Sequence, residues 1–103
     1  DRELFKELAE IFLKSYPKQL SDIQSAITRN DGKALEQSAH CIKGSVATFC
    51  AKPALEAAFE LEIIGRENNM SNARKTYKAL ENEIGRLTAA LEAIDSETKP
   101  EIN

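Results

Sequence analysis

The chain has 103 residues, with 42% hydrophobic and 30% charged residues, values typical of one globular domain. Fourteen basic and seventeen acidic residues give a net charge of -3, and no basic run stands out, which argues against a nucleic-acid partner. No apolar stretch approaches the roughly 20 residues needed to span a bilayer, so we expect a soluble domain without membrane contact.

Helical periodicity runs through nearly the whole chain, and alternating strand-type patterns are almost absent. A first helix is predicted from about Arg2 to Leu13. Its apolar residues lie on one side: Leu4, Phe5, Leu8, Ile11 and Phe12. A second helix is predicted to begin at a Ser15 cap, with Pro17 in its first turn, and to end at the sequence RNDG. Its inward residues are Leu20, Ile23 and Ile27.

The second half of the chain predicts three more helices. Asp31 is the predicted N-cap of the third, which reaches about Cys50 and has these regularly spaced apolar residues: Leu35, Ala39, Ile42, Val46 and Phe49. Pro53 opens the fourth, which continues to about Glu67 along this stripe: Leu55, Ala58, Phe59 and Glu62. Ser71 is predicted to cap the last helix, which has a heptad-like seam: Ala73, Tyr77, Leu80, Ile84, Leu87, Leu91 and Ile94.

These elements predict an all-α protein, an antiparallel four-helix bundle with a short additional N-terminal helix. The bundle is expected to occupy residues 1–95, followed by a polar C-terminal tail at 96–103. Because the chain starts at Asp1 without a methionine, we expect a domain taken from a longer protein.

Cys41 and Cys50 are not expected to form a disulfide. On one helix they would lie about 13 to 14 Å apart along the axis, beyond disulfide reach. They would also point in nearly opposite directions, so they could not bind one metal ion together with His40. We expect reduced thiols in a cytosolic protein and no metal site.

His40 is the only histidine in the chain. On a helical wheel, the inward residues of its helix lie about 140° away from it, so the ring is predicted to face solvent. Gly44 would leave the ring uncovered at a helix-propensity cost of about 1 kcal/mol, and Lys43 would lean back toward it. An exposed imidazole is mostly neutral near pH 7 and offers a lone pair for nucleophilic attack, a chemistry suited to phosphoryl transfer.

Two segments around this histidine resemble the histidine-containing phosphotransfer (HPt) domain family. They read AHCIKGS from Ala39 to Ser45 and ALEAAFELE from Ala54 to Glu62. The pattern A-H-x-L-K-G followed by L-x-x-A-x-x-L-E is met by these residues: Ala39, His40, Ile42, Lys43, Gly44, Leu55, Ala58, Leu61 and Glu62. The opening LFKELAEIFLKSYPKQLSDIQSAITRND also looks like the family's leading helices. The chain departs from the pattern at Cys50, where many members have glycine, and near Thr48, where many have Asn or Ser.

The resemblance implies a phosphocarrier of a multistep His-Asp phosphorelay. His40 would take a phosphoryl group from an aspartyl phosphate on a receiver domain and pass it to an aspartate on another. Lys43 would neutralise the phosphoryl charge, and Gly44 would leave room for the receiver.

Other surface residues are candidates for partner contact. Ala47 lies on the same outer stripe as His40. Gln37, one turn before His40, is placed either to hydrogen-bond the ring or to remain solvated. Arg66 is either a group that approaches the site from the fourth helix or an ordinary exposed arginine at a helix end. An intrahelical or cap-type role is sufficient to explain Glu62.

The expected partners are response-regulator receiver domains and a hybrid sensor histidine kinase of which the domain could be part. No cofactor is expected on this domain, whereas Mg2+ is expected on the receiver. The domain is expected to be a monomer without its own ATP site, in the cytoplasm or on the cytoplasmic side of a membrane-bound sensor kinase.

Two other classes of function stay open on the sequence. A histidine-kinase dimerisation domain also presents a histidine on a helix, but typically has an acidic residue where this chain has Cys41. A helical interaction or scaffold bundle with an incidental histidine is the other alternative.

Overall fold

The computed structural model describes residues 2–98, with side chains up to residue 94. Within that part of the chain it contains four α-helices: α1 (Arg2–Thr28), α2 (Gly32–Ala47), α3 (Lys52–Glu67) and α4 (Ala73–Thr98). A 3-10 turn (Met70–Asn72) precedes α4. Each helix packs on the next, and α4 also packs on α1. The connections are short, so consecutive helices run antiparallel and the predicted all-α bundle is confirmed.

The predicted break between two N-terminal helices is wrong, because α1 is continuous through Ser15 and Pro17. The Ser15 hydroxyl donates to the Ile11 carbonyl at 2.8 Å instead of capping a new helix. Phe12 and Ile23 are both buried, and they lie within about 20° of each other around the helix axis. Burying one continuous apolar face therefore outweighs the backbone hydrogen bond that Pro17 cannot donate.

The first turns of α1 bury less than their pattern predicted. Of the residues predicted to form one apolar side, Leu4, Phe5 and Ile11 are 53%, 36% and 62% exposed, whereas Phe12 is buried. Leu4 and Ile11 lie about 80° to 100° around the axis from Phe12, too far to share its buried face. Phe5 meets the Phe49 ring edge-on at 5.8 Å between ring centroids.

The start of α2 is as predicted, but its end comes earlier. The Asp31 carboxylate accepts a hydrogen bond from the backbone N–H of Ala34 at 3.1 Å, which is the expected N-cap. The helix stops at Ala47 and does not reach Cys50, whose φ of 54° is left-handed. Both cysteines are free and exposed.

α2 and α3 approach each other closely at Gly32 and Gly65. A Cβ on Gly65 would lie 2.5 Å from the backbone N of Glu36 and 2.5 Å from the carbonyl oxygen of Gly32. The buried face of α3 carries mostly small residues: Ala54, Ala57, Ala58, Leu61, Glu62 and Gly65. This small-residue face lets the backbone of α3 come close to α2, the helix that carries His40.

The last helix buries most of its predicted seam, and Ile94 is the exception at 41% exposed. Ser71 does not cap this helix, because it lies inside the 3-10 turn and its hydroxyl donates to the Asn69 side chain at 3.0 Å. α4 continues to Thr98, so the tail predicted at 96–103 begins within a helix, and its residues 99–103 lie outside the described part. Among the described helices, none has the length and apolar character needed to cross a membrane.

Candidate functional site

His40 stands on the outer face of α2, and 69% of its side chain is exposed. Its neighbours Ala39 and Ile42 are fully buried and fix the orientation of the helix. The predicted outward orientation of the ring is therefore confirmed.

Glu62 of α3 is the hydrogen-bonding partner of this ring. The distance between His40 Nδ1 and Glu62 Oε2 is 3.1 Å, and the Glu62 side chain is only 7% exposed. The contact spans two helices, which the close approach of α2 and α3 at Gly65 permits. A carboxylate buried in a helix interface joins an exposed imidazole to the core of the bundle.

Lys43 also binds Glu62. Its ammonium lies 2.6 Å from Glu62 Oε1, on the opposite carboxylate oxygen from the one that meets His40. The same ammonium is 5.1 Å from the centre of the Phe59 ring, a distance suited to a cation–π contact. Lys43 therefore lies close to the histidine, but in the absence of an added anion its charge is directed at Glu62.

Arg66 joins the same cluster from α3. Its Nε donates to Glu36 Oε2 at 2.9 Å, and a terminal nitrogen lies 3.2 Å from Glu62 Oε2. The hydrogen bond to Glu36 and the nearby carboxylates raise the pKa of Arg66. Arg66 thus links α2 to α3 next to the histidine, because it contacts Glu62, which itself contacts the ring.

The electrostatics keep Glu62 ionised. The hydrogen bond from Lys43 is the largest influence and lowers the pKa of Glu62, and the hydrogen bond from His40 acts in the same direction. Burial alone would raise the pKa, but it is outweighed. Glu62 is therefore a carboxylate at neutral pH.

This ionisation state decides the tautomer of the ring. A carboxylate has no proton to donate, so Nδ1 of His40 must carry the hydrogen in their 3.1 Å contact. In a neutral imidazole the lone pair then belongs to Nε2, the ring nitrogen that is not engaged with Glu62. The arrangement provides one exposed nucleophilic nitrogen on a ring whose other nitrogen is fixed.

Three further predicted residues lie on the exposed face of α2. A Cβ on Gly44 would have no heavy atom within 4 Å, so this glycine does not serve close helix packing. Ala47, one turn further along, is exposed. Gln37 is exposed too and lines a shallow depression with Glu36, His40 and Glu62. All three residues are exposed, and Gly44 and Ala47 add little bulk to the face of α2 that carries His40.

Sequence reasoning missed two parts of this site. Glu62 was explained by intrahelical contacts, although a charged residue on a buried stripe is itself a signal, since such residues are rarely buried without a partner. The predicted stripe of this helix includes Phe59, but the Phe59 side chain is 47% exposed. It lies about 130° around the axis from the centre of the buried face of α3, and its ring flanks Lys43 instead.

In residues 2–94, whose side chains are described, no cluster of three or more His, Cys, Asp or Glu side chains is placed to hold a metal ion.

An antiparallel helical bundle with an exposed, tautomer-fixed histidine beside a lysine and an arginine has the features of a phosphocarrier. The chain belongs to the Hpt domain family, whose model matches residues 7–96. Domains of this family are histidine-containing phosphotransfer modules of phosphorelays. No curated protein and no solved structure matches the chain.

Proposed function

We propose that this chain carries phosphoryl groups between receiver domains of a multistep His-Asp phosphorelay, with His40 as the acceptor. The observation that carries the proposal is the hydrogen bond from Nδ1 to the buried Glu62 carboxylate. It leaves Nε2 as the nucleophile on a side chain that is 69% exposed. A family module with one histidine in its whole sequence has one candidate for the phosphorylated residue.

The surrounding residues have roles in this proposal that follow from their positions. Lys43 neutralises the phosphoryl charge by moving part of its ammonium contact from Glu62 to the incoming anion. Gly44 and Ala47 keep the docking surface low, and Gln37 borders it. Arg66 contributes a second positive charge at the edge of the site.

The partners supply what the carrier does not. We propose that receiver domains bind the Mg2+ needed for transfer and that the chain itself uses no ATP. A hybrid sensor histidine kinase is the proposed upstream context, on the cytoplasmic side of the membrane, and the domain is proposed to act as a monomer. Flow in both directions is chemically equivalent, since the same atoms exchange the phosphoryl group.

The test is phosphoryl transfer from a phosphorylated receiver domain. The chain is incubated with several labelled receivers, including those of its own genome, and the label is tested for acid lability and base stability. We expect acid-labile label on the wild type and none on His40→Gln. ATP alone should give no label.

The control is Lys78→Gln, which changes an exposed residue of α4, a helix that contributes no residue to the site. It should be labelled like the wild type. If no receiver labels the chain, or if His40→Gln is labelled as well, the carrier assignment is wrong. A stable dimer in solution would favour the dimerisation-domain alternative. Partner activities that all stay intact in His40→Gln would favour the scaffold alternative.

A further inference from the structure

The histidine contact is asymmetric in burial and in charge. The ring is mostly exposed, whereas the carboxylate that it touches is 7% exposed and ionised. Glu62 is therefore held in place by the core and by Lys43 whether or not a partner covers the ring. Such a fixed anion acts on every state of the ring, including the phosphorylated one.

The charged groups around Glu62 and the ring come from three helices. Lys43 and Glu36 lie on α2 with the histidine, and Arg66 lies on α3 between the two carboxylates. From α1, Asp22 lies across a groove that it lines with Gln37 and Cys41. Of these groups, Glu62 is the one with a hydrogen bond to the ring.

Phosphoryl transfer from histidine depends on the proton on the other ring nitrogen. When Nδ1 is protonated, the bond between Nε2 and phosphorus breaks with its electron pair going to Nε2, and the ring leaves as neutral imidazole. The receiver carboxylate forms the new oxygen–phosphorus bond. Without that proton the leaving group would be an imidazolate anion, which is a far poorer one.

Resting on the proposed function, we propose that the Glu62 carboxylate retains the Nδ1 proton on the phosphorylated His40 ring and so keeps the phosphorylated domain competent as a donor at neutral and mildly alkaline pH. The reason is electrostatic. A fixed negative charge at hydrogen-bond distance stabilises the positively charged, protonated ring, whereas a neutral amide at the same place accepts the hydrogen bond without the charge. Glu62 acts through the ring, so it is a positioning residue.

The first experiment needs no receiver. The chain is phosphorylated with phosphoramidate, and the 31P chemical shift of the phosphohistidine is followed against pH. The single histidine gives a single phosphohistidine signal to follow. We expect the midpoint of this titration to fall by about one pH unit in Glu62→Gln, as for the loss of an opposite charge within hydrogen-bond distance.

Glu36→Gln is the matched control. Glu36 is a second carboxylate that binds Arg66, and unlike Glu62 it has no hydrogen bond to the ring. Glu36→Gln should keep the wild-type midpoint. A shift in Glu36→Gln as large as that in Glu62→Gln, or no shift in either, would overturn the proposal.

Two further measurements keep the proposal testable. If Glu62→Gln is poorly folded by circular dichroism, the 15N shift of Nδ1 in the phosphorylated wild type reports protonation directly, and a deprotonated Nδ1 at pH 7 refutes the proposal. The rate of transfer to a receiver should fall with rising pH about one unit earlier in Glu62→Gln than in the wild type. Failure of transfer in both proteins with a normal 31P titration would count against the carrier function and leave the Glu62 effect standing.

Discussion

Gly65→Ala should destabilise the protein, because α2 and α3 touch at this glycine. An added Cβ would lie 2.5 Å from the backbone N of Glu36 and 2.5 Å from the carbonyl oxygen of Gly32. Ordinary contacts begin at 3.4 Å, so the helices would have to separate by about 0.9 Å, the difference between 3.4 and 2.5 Å. Both atoms belong to the backbone, and no side-chain rotation can relieve the contact.

The magnitude follows from two opposing effects. Overpacking a tight interface costs about 1–3 kcal/mol, and two backbone contacts place this site in the upper half of that range. Alanine gains about 1 kcal/mol over glycine in a helix interior. We expect the free energy of unfolding to fall by about 1–2 kcal/mol. In a domain of this size, each kcal/mol lowers Tm by about 4–8 °C.

Gly85→Ala is the matched control, because it makes the same chemical change in the interior of α4. A Cβ there would meet no heavy atom within 4 Å. The control should therefore gain about 1 kcal/mol from helix propensity alone. Thermal and urea denaturation of the three proteins, followed by circular dichroism, should show a loss of stability for Gly65→Ala and a gain for Gly85→Ala. The reasoning fails if Gly65→Ala is as stable as the wild type while Gly85→Ala gains stability.

Four further outcomes follow from the site and the α2 end. Lys43→Ala should slow transfer to and from a receiver by about tenfold or more, because it removes a charge-assisted contact worth about 1.5–3 kcal/mol. Lys43→Arg should restore much of the transfer rate, measured in stopped-flow or labelling assays. Gly44→Leu should block receiver binding in calorimetry, whereas Gly44→Ala should bind and gain helix stability; equal binding by both would contradict the docking role. Cys50→Gly should raise Tm by relieving a left-handed backbone at φ 54°, an effect of about 1 kcal/mol that Cys50→Ala should not show. Because the pKa of Glu62 lies below its ordinary 4.5, the ionised form stabilises the fold above that pH, and this contribution is lost as pH falls through the lowered value. The stability of the wild type relative to Glu62→Gln should therefore rise with pH from the lowered pKa of Glu62 up to a little above 4.5 in urea denaturation, and a flat difference would refute the assignment.

The helices themselves were predictable, because each buries a stripe with a helical period. The Asp31 cap, the Pro53 start and most of the α4 seam follow from local rules that the structure satisfies. The predicted helix break at Ser15 was wrong because tertiary packing overrides local sequence signals. A serine two residues before a proline, as at Ser15 and Pro17, is a good start signal. The core nevertheless needs Phe12 and Ile23 on one continuous face, and this packing outweighs the signal.

The outward direction of His40 could be derived from one helix, but its chemical partner could not. Glu62 is 22 residues away, and the hydrogen bond depends on how α3 is rotated and how closely it approaches. A wheel of α2 places Lys43 beside the ring, and only the packed pair of helices shows that its ammonium is bound to Glu62. The positive φ at Cys50 is a similar case, since nothing in the residue type favours that conformation.

The site and the fold share one structural requirement, the short distance between α2 and α3. Small residues on α3 allow the approach, and the approach lets a buried carboxylate reach an exposed ring. A histidine on a lone surface helix would be exposed but free to rotate, whereas one in a core would be fixed but inaccessible. The hydrogen bond from Nδ1 to Glu62 fixes the orientation of the ring and leaves Nε2 available to a partner. The consequence is that substitutions such as Gly65→Ala should impair transfer even though they touch neither His40 nor a partner, because they widen the gap that Glu62 must span.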